Sequence, residues 1–173
     1  MATLEIKTAE EFKTLAELER QASRRAVRET PLVQLILRFF VDRGERIPVD
    51  DIVAAFPGSP PGTIREALIG LDDDDVIRVR DGHVDITYPF SASPTPFVVS
   101  PAGGDGRYAC CAVDALGMAP MLGRQIQVRS RCHHSGVPLE FSVAPDGPGP
   151  GAKGIMLWFG KRGDEPCKVA DSL

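Results

Sequence analysis

A thiol and a carboxylate stand three residues apart, at Cys111 and Asp114. On a helix, positions i and i+3 share a face, so the two side chains would lie side by side. Near a helix N-terminus the dipole favours thiolate, while the neighbouring carboxylate opposes it. Such a pair can bind a soft metal through sulfur while the acid handles a proton. Spacing alone is a weak signal, since Cys and Asp recur at this interval by chance. The chain has four cysteines, Cys110, Cys111, Cys132 and Cys167, all in its C-terminal part. Adjacent Cys110 and Cys111 suit a mutual disulfide poorly, and a buried free cysteine commonly serves as a small hydrophobe. His133 and His134 follow Cys132 directly, but with no Cys-x-x-Cys pair a zinc or copper site there has little support.

The 173 residues, 43% of them apolar, suffice for one ordinary core or two small ones. A formal net charge of −4 argues against a basic footprint for nucleic acid or anionic membrane over the chain as a whole. No apolar run approaches the ~20 residues that span a bilayer, and the N-terminus lacks the basic start and apolar core of a signal peptide. The expectation is a cytoplasmic protein whose cysteines are thiols.

The elements that must position the pair follow from periodicity. Residues 1–30 read as an N-terminal helix or arm, acids first and arginines last, an order that suits the helix dipole. Pro31 opens an apolar helix that Gly44 closes, a short helix follows over 47–56, and Pro61–Leu71 makes a third with Ile64, Leu68 and Leu71 on one face. Residues 76–80 and 83–88 flank Asp81-Gly82, a type I′ hairpin signal. Three helices and a hairpin predict a winged-helix-like module over residues 31–90. That module carries six basic and eleven acidic side chains, including the run Asp72–Asp75. It would repel phosphates, so a scaffold role is expected rather than DNA binding.

The Pro/Ser/Gly-rich residues 91–106 read as a linker, with a short strand at Phe97-Val98-Val99. The remainder, residues 107–173, is expected to hold a helix over Arg107–Leu122 carrying Cys110, Cys111 and Asp114. Strands are expected at Gln125–Arg131, Pro138–Val143 and Ile155–Phe159, with Trp158 in the core. The fold class expected is α+β, a helix on a small, mostly antiparallel sheet behind the helical module.

The residues around the pair resemble the signature block of the organomercurial (alkylmercury) lyases. Tyr108, Cys111, Ala112 and Asp114 stand as in that family's Tyr-x-x-Cys-Ala-x-Asp helix. Leu122-Gly123-Arg124 stands as its turn, and Ser130, Cys132, Ser135, Gly136 and Pro138 as its strand end. The acidic helical module also fits the family's N-terminal part. The resemblance implies protonolysis of a carbon–mercury bond, in which the Cys111 thiolate captures mercury and Asp114 moves a proton to the leaving carbon. A second thiol would complete a nearly linear grip on the Hg(II) product. Cys167 falls at a plausible place for it, although its flanks depart from the family pattern, whose later strand has no counterpart before Leu173. The expected metal-binding and catalytic residues are therefore Cys111, Asp114 and Cys167.

Cys132 corresponds to a family cysteine that is not catalytic and reads as structural. Cys110 stands where the family tends to carry an aromatic residue, and is either a substitute thiol or a small packing residue. The implied substrate is a small organomercurial, with a thiol reductant or metal acceptor for the product and no required cofactor. Two other functions fit the same cysteines: a non-catalytic carrier of mercury or copper, and a diverged relative using Cys111 as a nucleophile.

Overall fold

A computed structural model of the protein describes residues 8, 11, 30–101 and 104–158. Residues 1–35 and 36–173 form separate compact units, the division falling inside the first helix described. In the first unit, Thr8 and Glu11 exchange hydrogen bonds: the Glu11 N–H donates to Thr8 Oγ1 at 3.3 Å, and the Thr8 N–H donates to Glu11 Oε2 at 2.7 Å. This is a capping box, which satisfies donors at a helix start.

Helix α1 spans Pro31–Arg43, with proline where a missing N–H costs nothing. Gly44 ends it at φ +68, a left-handed conformation that glycine adopts without strain. Strand β1 (Ile47–Pro48) leads into α2 (Val49–Ala54), and α3 follows over Pro61–Asp73. Ile64, Leu68 and Leu71 of α3 are buried, as their spacing requires. Strands β2 (Ile77–Arg80) and β3 (His83–Thr87) form the expected hairpin. Its turn residues Asp81 and Gly82 both have positive φ, 48 and 72, as a type I′ turn demands.

The hairpin belongs to a larger antiparallel sheet. Strands β4 (Phe90–Ser91), β5 (Val98–Pro101), β6 (Arg107–Ala109), β7 (Ile126–Arg131), β8 (Pro138–Ala144) and β9 (Gly147–Pro148) complete the order β1-β3-β4-β6-β5-β7-β8-β9, with β2 on the other edge of β3. Residues 91–106, expected to link two modules, thus contribute β5 and the end of β4. Phe90 of β4 pairs with Ala109 of β6 and stacks on Phe40 of α1, with ring centroids 6.1 Å apart. Phe40, Ile47, Ile52, Leu68, Ile77, Val84 and Phe90 are almost completely buried and form the core beneath the helices.

Helix α4 (Ala112–Leu122) lies on the strands β5–β9 and buries Ala115, Met118 and Ala119, while Val99, Ile126, Val128 and Val143 are buried from the strands. The architecture is mixed helix and antiparallel sheet, as expected.

Three local expectations need correction. The helix predicted over Arg107–Leu122 begins only at Ala112, because Arg107–Ala109 pair as a strand with β4 and β5. The strand that pairs with β8 is β9, brought back at once by the turn sequence Pro145-Asp146-Gly147. Residues 155–158, placed in a third strand, are irregular. Trp158 is 67% exposed rather than in the core. Cys167 lies outside the described residues.

Candidate functional site

Cys111 and Asp114 come together where β6 ends and α4 begins. The Cys111 backbone is extended, at φ −150 and ψ 178, which makes it the N-cap of α4 rather than a helical residue. Asp114 is then the third helical residue, where an N-cap side chain can reach the backbone N–H. The Asp114 N–H donates to Cys111 Sγ at 3.5 Å, and the Cys111 thiol donates to Asp114 Oδ2 at 3.0 Å. The arrangement is an N-cap with a thiol in place of the usual hydroxyl, and the carboxylate accepts from that thiol rather than from the N-cap backbone N–H of a capping box. The i, i+3 proximity was legible in the spacing, but it arises from capping and not from two residues within one helix.

The protonation state follows from burial. The Cys111 thiol is pushed up to about 12 by desolvation first, then by the Asp114 charge and by its own hydrogen bond to that carboxylate. The backbone N–H groups of Val113 and Asp114 pull the other way and lose. A helix N-terminus alone would favour thiolate; here Asp114 and the lost water outweigh it. At neutral pH the Cys111 sulfur therefore keeps its proton, which points to Asp114 Oδ2.

The Cys110 side chain lies in a different environment from this pair. It is buried in a cluster with Ile86 and Tyr88, and its thiol donates to the Phe90 carbonyl at 3.2 Å. Burial first, and then the charges of Asp114, Cys111 and Asp85, raise its thiol far above the ordinary range. Cys132 occupies a different environment. Val98 of β5 faces Tyr108 of β6 on one side and Arg129 of β7 on the other, so β6 and β7 run in the same direction. They deliver Cys111 and Cys132 to the same end of the sheet, two strand spacings apart, or about 10 Å between strand axes.

Cys132 closes the β7–β8 turn, its N–H bonding to Val137 O and its carbonyl accepting from Gly136 N. Its thiol is lowered from the ordinary value by hydrogen bonds from Ser135 and from the His134 backbone. His133 and His134 are exposed on that turn. Among the described residues, no three His, Cys, Asp or Glu side chains converge as a metal-binding group. Arg124 follows the left-handed Gly123 (φ 62) and bonds Ala119 O through its N–H at 3.3 Å, so it serves the helix end.

One supporting residue had no signal in the sequence. Arg107 of β6 donates from Nε to Val41 O and from Nη2 to Asp42 O, both at 2.8 Å, capping the C-terminal end of α1. Two cavities lie elsewhere among the described residues. One of about 700 Å³ is lined by Val49, Leu68, Ile69, Val79 and His83, and one of about 360 Å³ by Val41, Asp105, Arg107 and Arg124.

A thiol–carboxylate pair that caps a helix laid on an antiparallel sheet defines a mixed α/β protein with a proton-bearing soft ligand. Comparisons with known proteins bear on the fold and on the family. Residues 90–173 match the family model MerB, described as alkylmercury lyase. The alkylmercury lyase of Staphylococcus epidermidis is 33% identical over 103 residues, covering 60% of this chain and 45% of that protein. Those of Bacillus cereus and Streptomyces lividans are 30% and 32% identical over 118 and 119 residues, each covering 67% of this chain and 49% of theirs. A solved structure, the mercury-bound form of MerB2, superposes with a TM-score of 0.54 at 22% identity, covering 64% of this chain and 53% of that one. Over its C-terminal part the chain is similar to the alkylmercury lyase family. The chain spans about half the length of the curated relatives it matches.

Proposed function

We propose that the protein cleaves carbon–mercury bonds by protonolysis, with Cys111 as the capturing sulfur and Asp114 as the proton carrier. The observation that carries this is the 3.0 Å hydrogen bond from the Cys111 thiol to Asp114 Oδ2. An organomercurial R–Hg–X meets the half-buried thiol, a sulfur–mercury bond forms, and X leaves as an anion. The thiol proton moves along the existing hydrogen bond to Asp114. A second sulfur, assigned to Cys167, binds mercury as thiolate. The carbon–mercury bond then breaks, its electron pair takes the proton from Asp114, and R–H departs. Hg(II) remains between two sulfurs, which hold it far better than oxygen donors do.

The same proposal treats residues 31–90 as a winged-helix-like scaffold that does not bind DNA. It places the protein in the cytoplasm and hands the product to a small thiol. The acidic balance of the module supports the first point. Among the described residues, no helix is long and apolar enough to cross a membrane.

The test is direct. The purified protein, given a phenylmercury salt and excess small thiol, should release benzene, with Asp114→Ala and Cys111→Ser each abolishing release. Absence of benzene from the unaltered protein would end the proposal.

A further inference from the structure

We infer that Cys110 is a positioning residue that holds the Cys111 sulfur against Asp114, and that it is not a mercury ligand. The inference rests on Cys111 being the reacting sulfur.

Cys110 is tied to β4 twice. Its N–H donates to Pro89 O at 3.0 Å and its thiol donates to Phe90 O at 3.2 Å. These two bonds flank the Phe90–Ala109 pairing that joins β4 to β6. They therefore fix the chain at the last point before Cys111, whose extended backbone begins α4. Along extended backbone, successive side chains point to opposite sides. Anchoring the Cys110 side chain inward, among Ile86 and Tyr88, leaves Cys111 facing the helix N-terminus. An aliphatic side chain at 110 would fill the volume but leave the Phe90 carbonyl without this donor. A serine would keep the donor. The buried direction of the Cys110 thiol also removes it from any metal that Cys111 receives.

Three variants separate donor from volume: Cys110→Ser, Cys110→Ala and Cys110→Val. Three measurements are made on each folded variant: kcat and KM for benzene release from a phenylmercury salt, the rate of Cys111 alkylation by iodoacetamide at pH 8, read by peptide mass mapping, and the stoichiometry of bound Hg(II). Without the donor, Cys110→Ala should lower kcat about tenfold, the scale of one hydrogen bond, with KM within about twofold. It should also speed Cys111 alkylation severalfold, as the cap loosens. Cys110→Ser should match the unaltered protein in all three measurements. If Cys110→Ala does not fold, Cys110→Val serves as the donor-free variant.

Equal damage in the serine and donor-free variants would overturn the inference, as would unchanged Cys111 reactivity in the donor-free one. A drop in Hg(II) stoichiometry in Cys110→Ser would also overturn it, by making Cys110 a ligand. If the unaltered protein releases no benzene, the lyase proposal fails, while the alkylation series still decides the role of Cys110.

Discussion

Cys111 and Asp114 cap each other: the aspartate N–H reaches the sulfur at 3.5 Å, and the thiol returns a hydrogen bond to the carboxylate at 3.0 Å. One interaction starts a helix and also holds a thiol proton against a carboxylate. In the proposed reaction the helix cap and the chemistry would draw on the same two side chains.

Replacing Asp114 with asparagine should expose that double role. The substitution keeps the size but removes the charge that, after burial, holds the thiol proton most firmly. Cys111 should then ionise well below 12, read from the pH profile of its alkylation. Benzene release should fall about 10²- to 10⁴-fold, the usual scale for losing a proton-transfer group. An unchanged alkylation profile would contradict the electrostatic account.

The raised Cys111 value also predicts a stability change with pH. The thiol titrates near 9 when unfolded and near 12 when folded, so between those values the folded state binds more protons. Its contribution is complete below pH 9 and is lost as pH rises through about 12. Urea midpoints should therefore fall over this window more steeply for the unaltered protein than for Cys111→Ala. Comparing the two proteins cancels the lysines and tyrosines that titrate in the same range.

Cys132 should react first with alkylating reagents at neutral pH. It is partly exposed, and its thiolate is favoured by the Ser135 hydroxyl and nearby backbone N–H groups, whereas Cys110 and Cys111 are held as thiols. Peptide mapping after brief iodoacetamide treatment should show Cys132 modified ahead of both. Ser135→Ala should slow it.

Arg107 and Gly44 form a joint that mutation can open from either side. A Cβ at Gly44 would lie 2.8 Å from Arg107 Cδ, and φ is +68 there. Gly44→Ala should cost about 1–2 kcal/mol for the left-handed backbone alone. Arg107→Met, which removes the donors to Val41 and Asp42, should cost about 1–3 kcal/mol. Urea unfolding measures both.

Local chemistry made part of this protein readable in its sequence. Asp81-Gly82 specifies its turn because few other dipeptides accept two positive φ angles, and Gly44 ends α1 for the same reason. Ile64, Leu68 and Leu71 announce the buried face of α3 by spacing alone. The block from Tyr108 to Pro138 marked Cys111 and Asp114 before any geometry was available.

Pairing between distant strands decided the rest. Arg107–Ala109 continue the helical pattern of residues 112–122, yet they form a strand because β4 and β5 offer backbone partners on both sides. Trp158 looks like core by residue type, but among the described residues it is exposed. The tie between the Cys110 thiol and Phe90 O spans 20 residues, and the cap of Arg107 on Val41 spans 66. Neither has a local signal, since each depends on which strands lie side by side. Residue types at fixed spacing thus named the candidate pair. Tertiary structure made one member a helix cap, withdrew it partly from water beside the Asp114 carboxylate, and thereby kept its proton in place.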